Sequence, residues 1–331
     1  MAETVFRTSK LCGDSVRDLN ILEIHMESPY TIVKLTNGDL GVAFNFDHES
    51  QPFKICENRH NWPAIATGLL DRARTDTLLT DHEPRELYEL SVQVATSSAL
   101  SQSQNIRDKD LADNGLIVDD FPIPLADISR KGDTVSVIGF GGYFCQALYD
   151  PNVHQVLVSD LLLSRSSEMQ ENAARFLQQF PNKLQFFDDA VSSEAIVLEA
   201  DVACITASAL CNGTMDGLLQ AAREGKCREV IVYGHSGGML SGPLFEHGVT
   251  IHLRPRIKRA FLAETKKFMS RIKDPEVRSV VRTVLQEDNF YDFIDVNLKA
   301  VTVKEKPISF AKIRRSLKKK TTNGLHCSCI I

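Results

Sequence analysis

One stretch decides the fold class: Thr134-Val135-Ser136-Val137-Ile138-Gly139-Phe140-Gly141-Gly142. A short β-branched run that ends in clustered glycines is typical of the first strand-loop-helix unit of a doubly wound α/β domain. The match to a nucleotide loop is partial. A dinucleotide fingerprint would have its third glycine at Phe144, and an S-adenosylmethionine-type loop would have one at Tyr143.

Strand and helix signals alternate from Thr134 onward. The predicted strands are Thr134–Ile138, Gln155–Val158, Leu184–Phe187, Val202–Thr206, Glu229–Tyr233 and Val249–Leu253, and the predicted helices lie at about 142–149, 166–179, 192–199, 214–224 and 240–247. Repeated units of this kind predict an α/β fold, with a Rossmann-like, doubly wound and mostly parallel sheet covered by helices. We place this domain at residues 131–256.

A smaller α+β domain is predicted before it, over residues 1–104. Asn37-Gly38 between two alternating apolar runs is a strong β-hairpin signal. Helical spacing that begins with a proline predicts helices from Pro63 to about Arg74 and from Pro84 to about Ser101. Residues 105–130 are predicted to be a connector.

The formal net charge of −5 is the sum of two unlike parts. Residues 312–331 carry six basic side chains and no acidic one, so we expect a flexible basic tail. The acidic remainder argues against a nucleic-acid groove on the folded body. Residues 257–311, between the sheet domain and the tail, are predicted to be a helical extension.

Length and composition indicate a soluble protein without a disulfide framework. The 331 residues are 43% hydrophobic and 24% charged, and no apolar run reaches the roughly 18 residues that span a bilayer. The first residues carry no secretory signal, and the eight cysteines are scattered, several within apolar runs. We therefore expect a cytoplasmic protein with reduced thiols and no membrane span, and leave open a homo-oligomer.

The loops that follow the strands hold the candidate ligand residues, because ligands bind at the carboxyl ends of the strands in such sheets. After the first strand, the glycines of 139–142 suit a phosphate or ribose. Asp160 follows the next strand about 20 residues on, where an acidic side chain bonds ribose hydroxyls. A tight turn with an acidic helix cap is the alternative interpretation.

Two further loops are polar. The fourth strand leads into Thr206, Ser208, Asn212 and Thr214, and capping of the next helix accounts for one of these side chains but not for all. The fifth ends in Gly234-His235-Ser236, which suits either an anion-binding nest or a tight turn. Within it, the imidazole is a candidate for proton transfer or metal ligation, and a solvent-facing side chain in a turn is the alternative.

These loops carry a resemblance to a known family. The stretches that resemble the heavy-metal-chelation domain family are Ala200–Thr206, Cys211–Leu219, Val230–Ser236 and Pro243–Val249. The family pairs a Rossmann-like domain with an N-terminal domain that resembles the enolase N-terminal fold, and the resemblance covers about residues 20–255. The chain differs from the family pattern at Ser98, where asparagine is usual, at His235, and in the glycine-rich loop, which is closer to a nucleotide loop.

Two functions follow as hypotheses. The first is an enzyme, of undetermined reaction class, that acts on an amino-acid-like or metallophore-like molecule, with S-adenosylmethionine or NAD(P) as cofactor. Its predicted site residues are Gly139, Phe140, Gly141, Gly142, Asp160, Thr206 and Ser208 for the cofactor, Asn212, Thr214 and Ser236 for the substrate, and His235 for catalysis. The second is a non-catalytic binder of a heavy metal or metal complex, with a divalent metal but no ligand set that the spacing identifies.

Overall fold

The structure of the protein, a computed structural model, describes part of the chain. The described residues are 19–25, 30–46, 87–103, 116–118, 123–161, 163, 167–187, 190–225, 227–239, 241–257 and 298–304. They form a small antiparallel sheet with one long helix and a large, mostly parallel sheet with several helices.

The small sheet has three antiparallel strands in sequence order, and a helix follows it. Its elements are β1 (Ile21–His25), β2 (Tyr30–Leu35), β3 (Leu40–Phe44) and α1 (Leu87–Ser103). The predicted hairpin is confirmed, since β2 pairs with β3 and Gly38 occupies the left-handed region at φ 88°. The second predicted helix is present as Leu87–Ser103 among the described residues. The first, from Pro63 to Arg74, lies outside the described residues.

Helix α1 lies directly on the backbone of β3. A Cβ atom placed on Gly41 would come within 1.8 Å of the Ala95 carbonyl oxygen. Buried polar contacts add to the packing, because the Ser91 hydroxyl donates to Thr31 Oγ1 in β2. The helix is buried although it is rich in serine and threonine.

The large sheet has eight strands among the described residues. Its elements are β4 (Leu116–Val118), β5 (Asp133–Ile138), α2 (Gly142–Tyr149), β6 (Val153–Ser159), α3 (Ser167–Gln179), β7 (Leu184–Phe187), α4 (Ala190–Glu199), β8 (Val202–Thr206), α5 (Met215–Glu224), β9 (Glu229–Tyr233), α6 (Gly242–Glu246), β10 (Ile251–Ile257) and β11 (Leu298–Lys304). Six strands, β5 to β10, are parallel and lie in the order β10-β9-β8-β5-β6-β7. This is the strand order of dinucleotide-binding domains, so the predicted fold class is confirmed.

Two strands differ from the prediction. Leu298–Lys304 lies in the range predicted as a helical extension, yet it is a strand that pairs antiparallel with β10. Leu116–Val118, in the predicted connector, pairs with that strand in turn. β4 is too short for its own pattern to indicate a strand. The other strand holds the β-branched run Val301-Thr302-Val303, which the prediction of a helical extension overlooked. The rest of the predicted helical extension, at residues 258–297 and 305–311, lies outside the described residues.

One hydrophobic core joins the two sheets. Its buried members from the small sheet and α1 are Val33, Leu35, Ala43, Phe46, Val94, Ala95, Ala99 and Leu100, and those from the parallel sheet and its loops include Ile138, Ile205, Ala207, Leu210, Met239 and Leu244. A second core lies on the opposite face, under α2 and α3. The N-terminal unit therefore packs at the carboxyl edge of the parallel sheet, mainly against the loop after β9. Within the described part of the chain, no helix is long and apolar enough to cross a membrane.

Candidate functional site

The strand order reverses direction between β5 and β8, and this topological switch point is where open α/β sheets bind ligands. The loops after β5 and β8 begin there, at the carboxyl edge of the sheet. The loop after β9 flanks them on one side. The structure thus places all three predicted loops at one sheet edge.

The three loops meet at Thr206, the last residue of β8. Gly139 has φ 86°, and a Cβ atom placed on it would lie 2.6 Å from Thr206 Cγ2. Gly234 has φ 105°, and its Cβ would lie 3.3 Å from Thr206 Oγ1. Both positions require glycine because their positive φ angles disfavour other residues, and at Gly139 a side chain would also clash with Thr206.

The first loop is held by side chains from two other strands. Phe140 donates its backbone N–H to Asp160 Oδ2 at 2.6 Å, and Tyr233 Oη donates to the Gly139 carbonyl oxygen at 3.1 Å. Asp160, the predicted ribose ligand, is therefore a partner of the loop itself. Tyr233 was not among the predicted site residues, although it ends a strand, which is the position that could have identified it.

The remaining loop residues differ in their surroundings. The Phe140 ring packs against Phe144, with ring centroids 4.5 Å apart, so its side chain belongs to the aromatic part of the second core. Gly141 is the N-cap of α2. Gly142 is exposed, and a Cβ atom there would have nothing within 4 Å. The open side of the loop is thus at Gly142.

The polar residues after β8 bond mostly to each other. Thr206 Oγ1 lies 3.1 Å from Ser208 Oγ and caps a short 3₁₀ helix, Ala207–Leu210. Asn212 Oδ1 accepts hydrogen bonds from the Thr214 backbone N–H at 3.2 Å and from its hydroxyl at 2.8 Å. Local capping therefore accounts for more of this cluster than the sequence indicated.

Ser236 connects the two domains. It is buried, and its hydroxyl oxygen accepts the Phe44 backbone N–H from β3 at 2.9 Å. The thiol of Cys211 lies close to both groups, and burial raises its pKa to about 12 despite their hydrogen bonds. Ser236 thus has a structural contact in addition to its predicted substrate role.

His235 lies at the domain junction, where its ring meets the Tyr30 ring edge-on with centroids 5.7 Å apart. Burial lowers the pKa of His235 to about 4. The imidazole is therefore neutral near pH 7, which suits hydrogen-bond acceptance or metal ligation better than proton donation from an imidazolium.

A buried polar layer behind this loop was not predicted. His252 in β10 is fully buried, and its Nδ1 lies 2.8 Å from Ser241 Oγ. Arg254, two residues on, donates to the carbonyl oxygens of Gly238 and of Ser101 in α1. Burial and the charge of Arg254 lower the pKa of His252 to about 3, and the backbone of Gly237 opposes only part of this. Because His252 and Arg254 lie in the middle of a strand, no loop or turn motif in the sequence indicated these contacts.

The described residues include no group of three or more His, Cys, Asp or Glu side chains that could hold a metal ion.

The Rossmann-like domain has known relatives. Residues 125–253 match a family model described as "Putative heavy-metal chelation", the DUF364 family. The sheet domain matches this family. The resemblance deduced from the loops is thereby confirmed.

Solved structures from this family share the fold. One protein of unknown function from Pyrococcus horikoshii is 16% identical, with a TM-score of 0.55 over 91% of this chain and 99% of that chain. Another, from Desulfitobacterium hafniense DCB-2, is 16% identical, with a TM-score of 0.58 over 92% and 99%. At this identity the likeness concerns the fold alone. No curated protein matches the chain.

Proposed function

We propose that the protein binds a small molecule with a nucleoside part at the switch point, beside the contact with the N-terminal domain. The observation that carries this proposal is the convergence of three loops on Thr206, at the sheet edge where the proposed ligand crevice lies. Its first wall is the Gly139–Gly142 loop, with Asp160 held against it. The proposed ligand is S-adenosylmethionine or NAD(P).

The proposed activity is that of an enzyme on an amino-acid-like or metallophore-like substrate. Thr206 and Ser208 line the cofactor side of the crevice, and Asn212 and Thr214 present polar groups on the substrate side. Ser236 keeps the N-terminal domain in register with the loop after β9. His235 enters neutral and accepts a proton or hydrogen bond from the substrate.

The test is a thermal-shift titration with S-adenosylmethionine, NAD⁺ and NADP⁺, because a ligand that binds only the folded state raises its melting temperature. The variant is Gly142→Val, since a side chain there enters open space in the unliganded protein. We expect one nucleoside to stabilise the wild type, and Gly142→Val to lose that shift at an unchanged unliganded melting temperature. Gly142→Ala serves as the smaller control and should lose less. A wild type that responds to none of the three nucleosides would overturn the proposal.

A second candidate function is the binding of a metal complex, which the family match over residues 125–253 favours. Because the described residues lack a cluster of three ligating side chains, the proposed cargo is a metal that brings its own chelator. The neutral imidazole of His235 would complete its coordination.

Elemental analysis of protein purified without chelators tests this second function. A stoichiometric metal, lost in His235→Ala, supports it. A metal-free protein whose melting temperature does not rise with metal-chelator complexes contradicts it.

A further inference from the structure

We infer that Tyr233 is a positioning residue whose hydroxyl sets the orientation of the Gly139–Gly142 loop, which we call the ligand loop. Tyr233 and Asp160 bond to opposite ends of the Gly139–Phe140 peptide group. The effect of Tyr233 on ligand binding rests on the proposed function, whereas its effect on the orientation of the loop does not.

The two hydrogen bonds are made to one peptide unit. The carbonyl of Gly139 and the N–H of Phe140 belong to the same planar amide. The first accepts from Tyr233 Oη at 3.1 Å and the second donates to Asp160 Oδ2 at 2.6 Å. The tyrosine comes from β9 and the aspartate follows β6, so the amide is held from both sides of β5.

This peptide needs such a clamp because glycine leaves it free to turn. The amide turns by rotation about the Cα–C bond of Gly139 and the N–Cα bond of Phe140, and the glycine, at φ 86°, has no side chain to restrict the first of these rotations. Rotation of the amide would exchange its carbonyl and N–H directions and redirect the start of α2. Two side-chain bonds to opposite ends of the amide select one orientation and so pre-form the loop, which lowers the ordering cost of ligand binding.

Tyr233 is itself held rigidly. Its ring meets the Tyr143 ring edge-on with centroids 5.2 Å apart, and it borders Gly141, whose Cβ would lie 3.5 Å from Tyr233 Cε2. Burial, with the nearby Cys204, Asp160 and Tyr143, raises the pKa of Tyr233 well above its usual range, so the hydroxyl remains a donor. The ring thus touches the loop at Gly141 as well as at the Gly139 carbonyl.

Tyr143→Phe is a matched control for Tyr233→Phe. Both variants remove one hydroxyl from a buried tyrosine that donates to a backbone carbonyl, and Tyr143 Oη donates to Ile123 at 2.8 Å, away from the ligand loop. A general cost of losing a buried hydroxyl would therefore appear in both variants.

The experiment has two readouts. The first is hydrogen–deuterium exchange over the peptide Gly139–Gly142 in the unliganded protein, which excludes the control residue Tyr143. The second is the affinity for S-adenosylmethionine and NAD⁺ by titration calorimetry. We expect Tyr233→Phe to speed exchange in this peptide and to weaken nucleoside affinity, each by about tenfold, as for one lost hydrogen bond, while Tyr143→Phe changes neither.

The outcomes separate the inference from the proposed function. Unchanged exchange in Tyr233→Phe, or an equal change in Tyr143→Phe, overturns the positioning role. Faster exchange only in Tyr233→Phe, with no nucleoside bound by the wild type, supports the clamp and overturns the proposed function. Faster exchange with unaltered nucleoside affinity overturns the role of Tyr233 in ligand binding.

Discussion

Phe44 donates its backbone N–H to the Ser236 hydroxyl across the junction of the two domains, at 2.9 Å. The donor ends β3 of the small sheet, and the acceptor lies in the loop after β9 of the large one. The small sheet with α1, which we call the cap, therefore shares this partly buried contact with the candidate site.

Removal of this acceptor should destabilise the protein. Ser236→Ala leaves the partly buried Phe44 N–H with only the weaker Cys211 thiol as acceptor, and we expect a loss of about 1 kcal/mol. Urea denaturation measures the loss. Ser208→Ala is the control, because Ser208 is only partly buried, and its loss should be clearly smaller. If both variants lose the same free energy of unfolding, the hydrogen bond from Phe44 to Ser236 does not contribute specifically to stability.

The cap should not unfold separately from the sheet domain. Leu100 and Ala99 in α1 share one hydrophobic core with Leu210 and Met239 beyond β8 and β9. We expect a single calorimetric transition and equal calorimetric and van't Hoff enthalpies. Leu100→Ala, which should cost about 2–5 kcal/mol, should shift that transition as a whole. Two resolved transitions, with only one of them moved, would show that the cap is an independent lid.

Two glycines should respond oppositely to alanine. Gly41→Ala would place Cβ 1.8 Å from the Ala95 carbonyl oxygen, a backbone atom that cannot move without shifting α1. We expect a large loss of stability, or insoluble protein. Gly142→Ala, whose Cβ would have nothing within 4 Å, should leave the melting temperature nearly unchanged. A soluble Gly41→Ala variant with the wild-type melting temperature would mean that α1 does not pack directly on β3.

The sequence predicted the parallel sheet well because its signals are local. The short apolar runs Leu184–Phe187, Val202–Thr206 and Glu229–Tyr233 are strands with the predicted bounds. Leu298–Lys304 was missed although it contains the β-branched run Val301-Thr302-Val303 and pairs with β10 along seven residues. The short β4 was missed because three residues are too few to indicate a strand.

The candidate site was predicted in its place but not in its hydrogen bonds. Loops after neighbouring strands must share an edge, so Gly139, Thr206 and Gly234 could be grouped from sequence. That Asp160 bonds to Phe140 depends on distances that only the folded chain sets. A residue type indicates what a side chain can bond, whereas tertiary packing selects its partner.

A buried hydroxyl in β5 should be dispensable. Ser136 Oγ is fully buried and bonds to none of the described residues, so Ser136→Ala removes an unsatisfied group and should be neutral or stabilise the protein by up to about 1 kcal/mol. Ser159→Ala is the counterpart, because Ser159 bonds to Ser193 and its loss should destabilise. Thermal and urea unfolding of the two variants measure both effects. A destabilised Ser136→Ala variant would indicate an internal water bound to this hydroxyl.

Acid should weaken the fold through His252. The pKa of this fully buried imidazole is lowered to about 3 by burial and by Arg254, whereas an unfolded histidine titrates near 6.5. Between these values the unfolded state binds more protons than the folded state. The free energy of unfolding therefore falls as the pH falls from about 6.5 toward 3, by up to about 1.4 kcal/mol per pH unit from this group. His235 acts in the same direction, since its pKa is lowered to about 4.

Urea unfolding between pH 7.5 and pH 5 measures how the free energy of unfolding depends on pH. This slope should flatten in His252→Asn, whose amide can still meet Ser241. If the wild type and His252→Asn lose stability with equal slopes, His252 does not remain neutral in the folded protein.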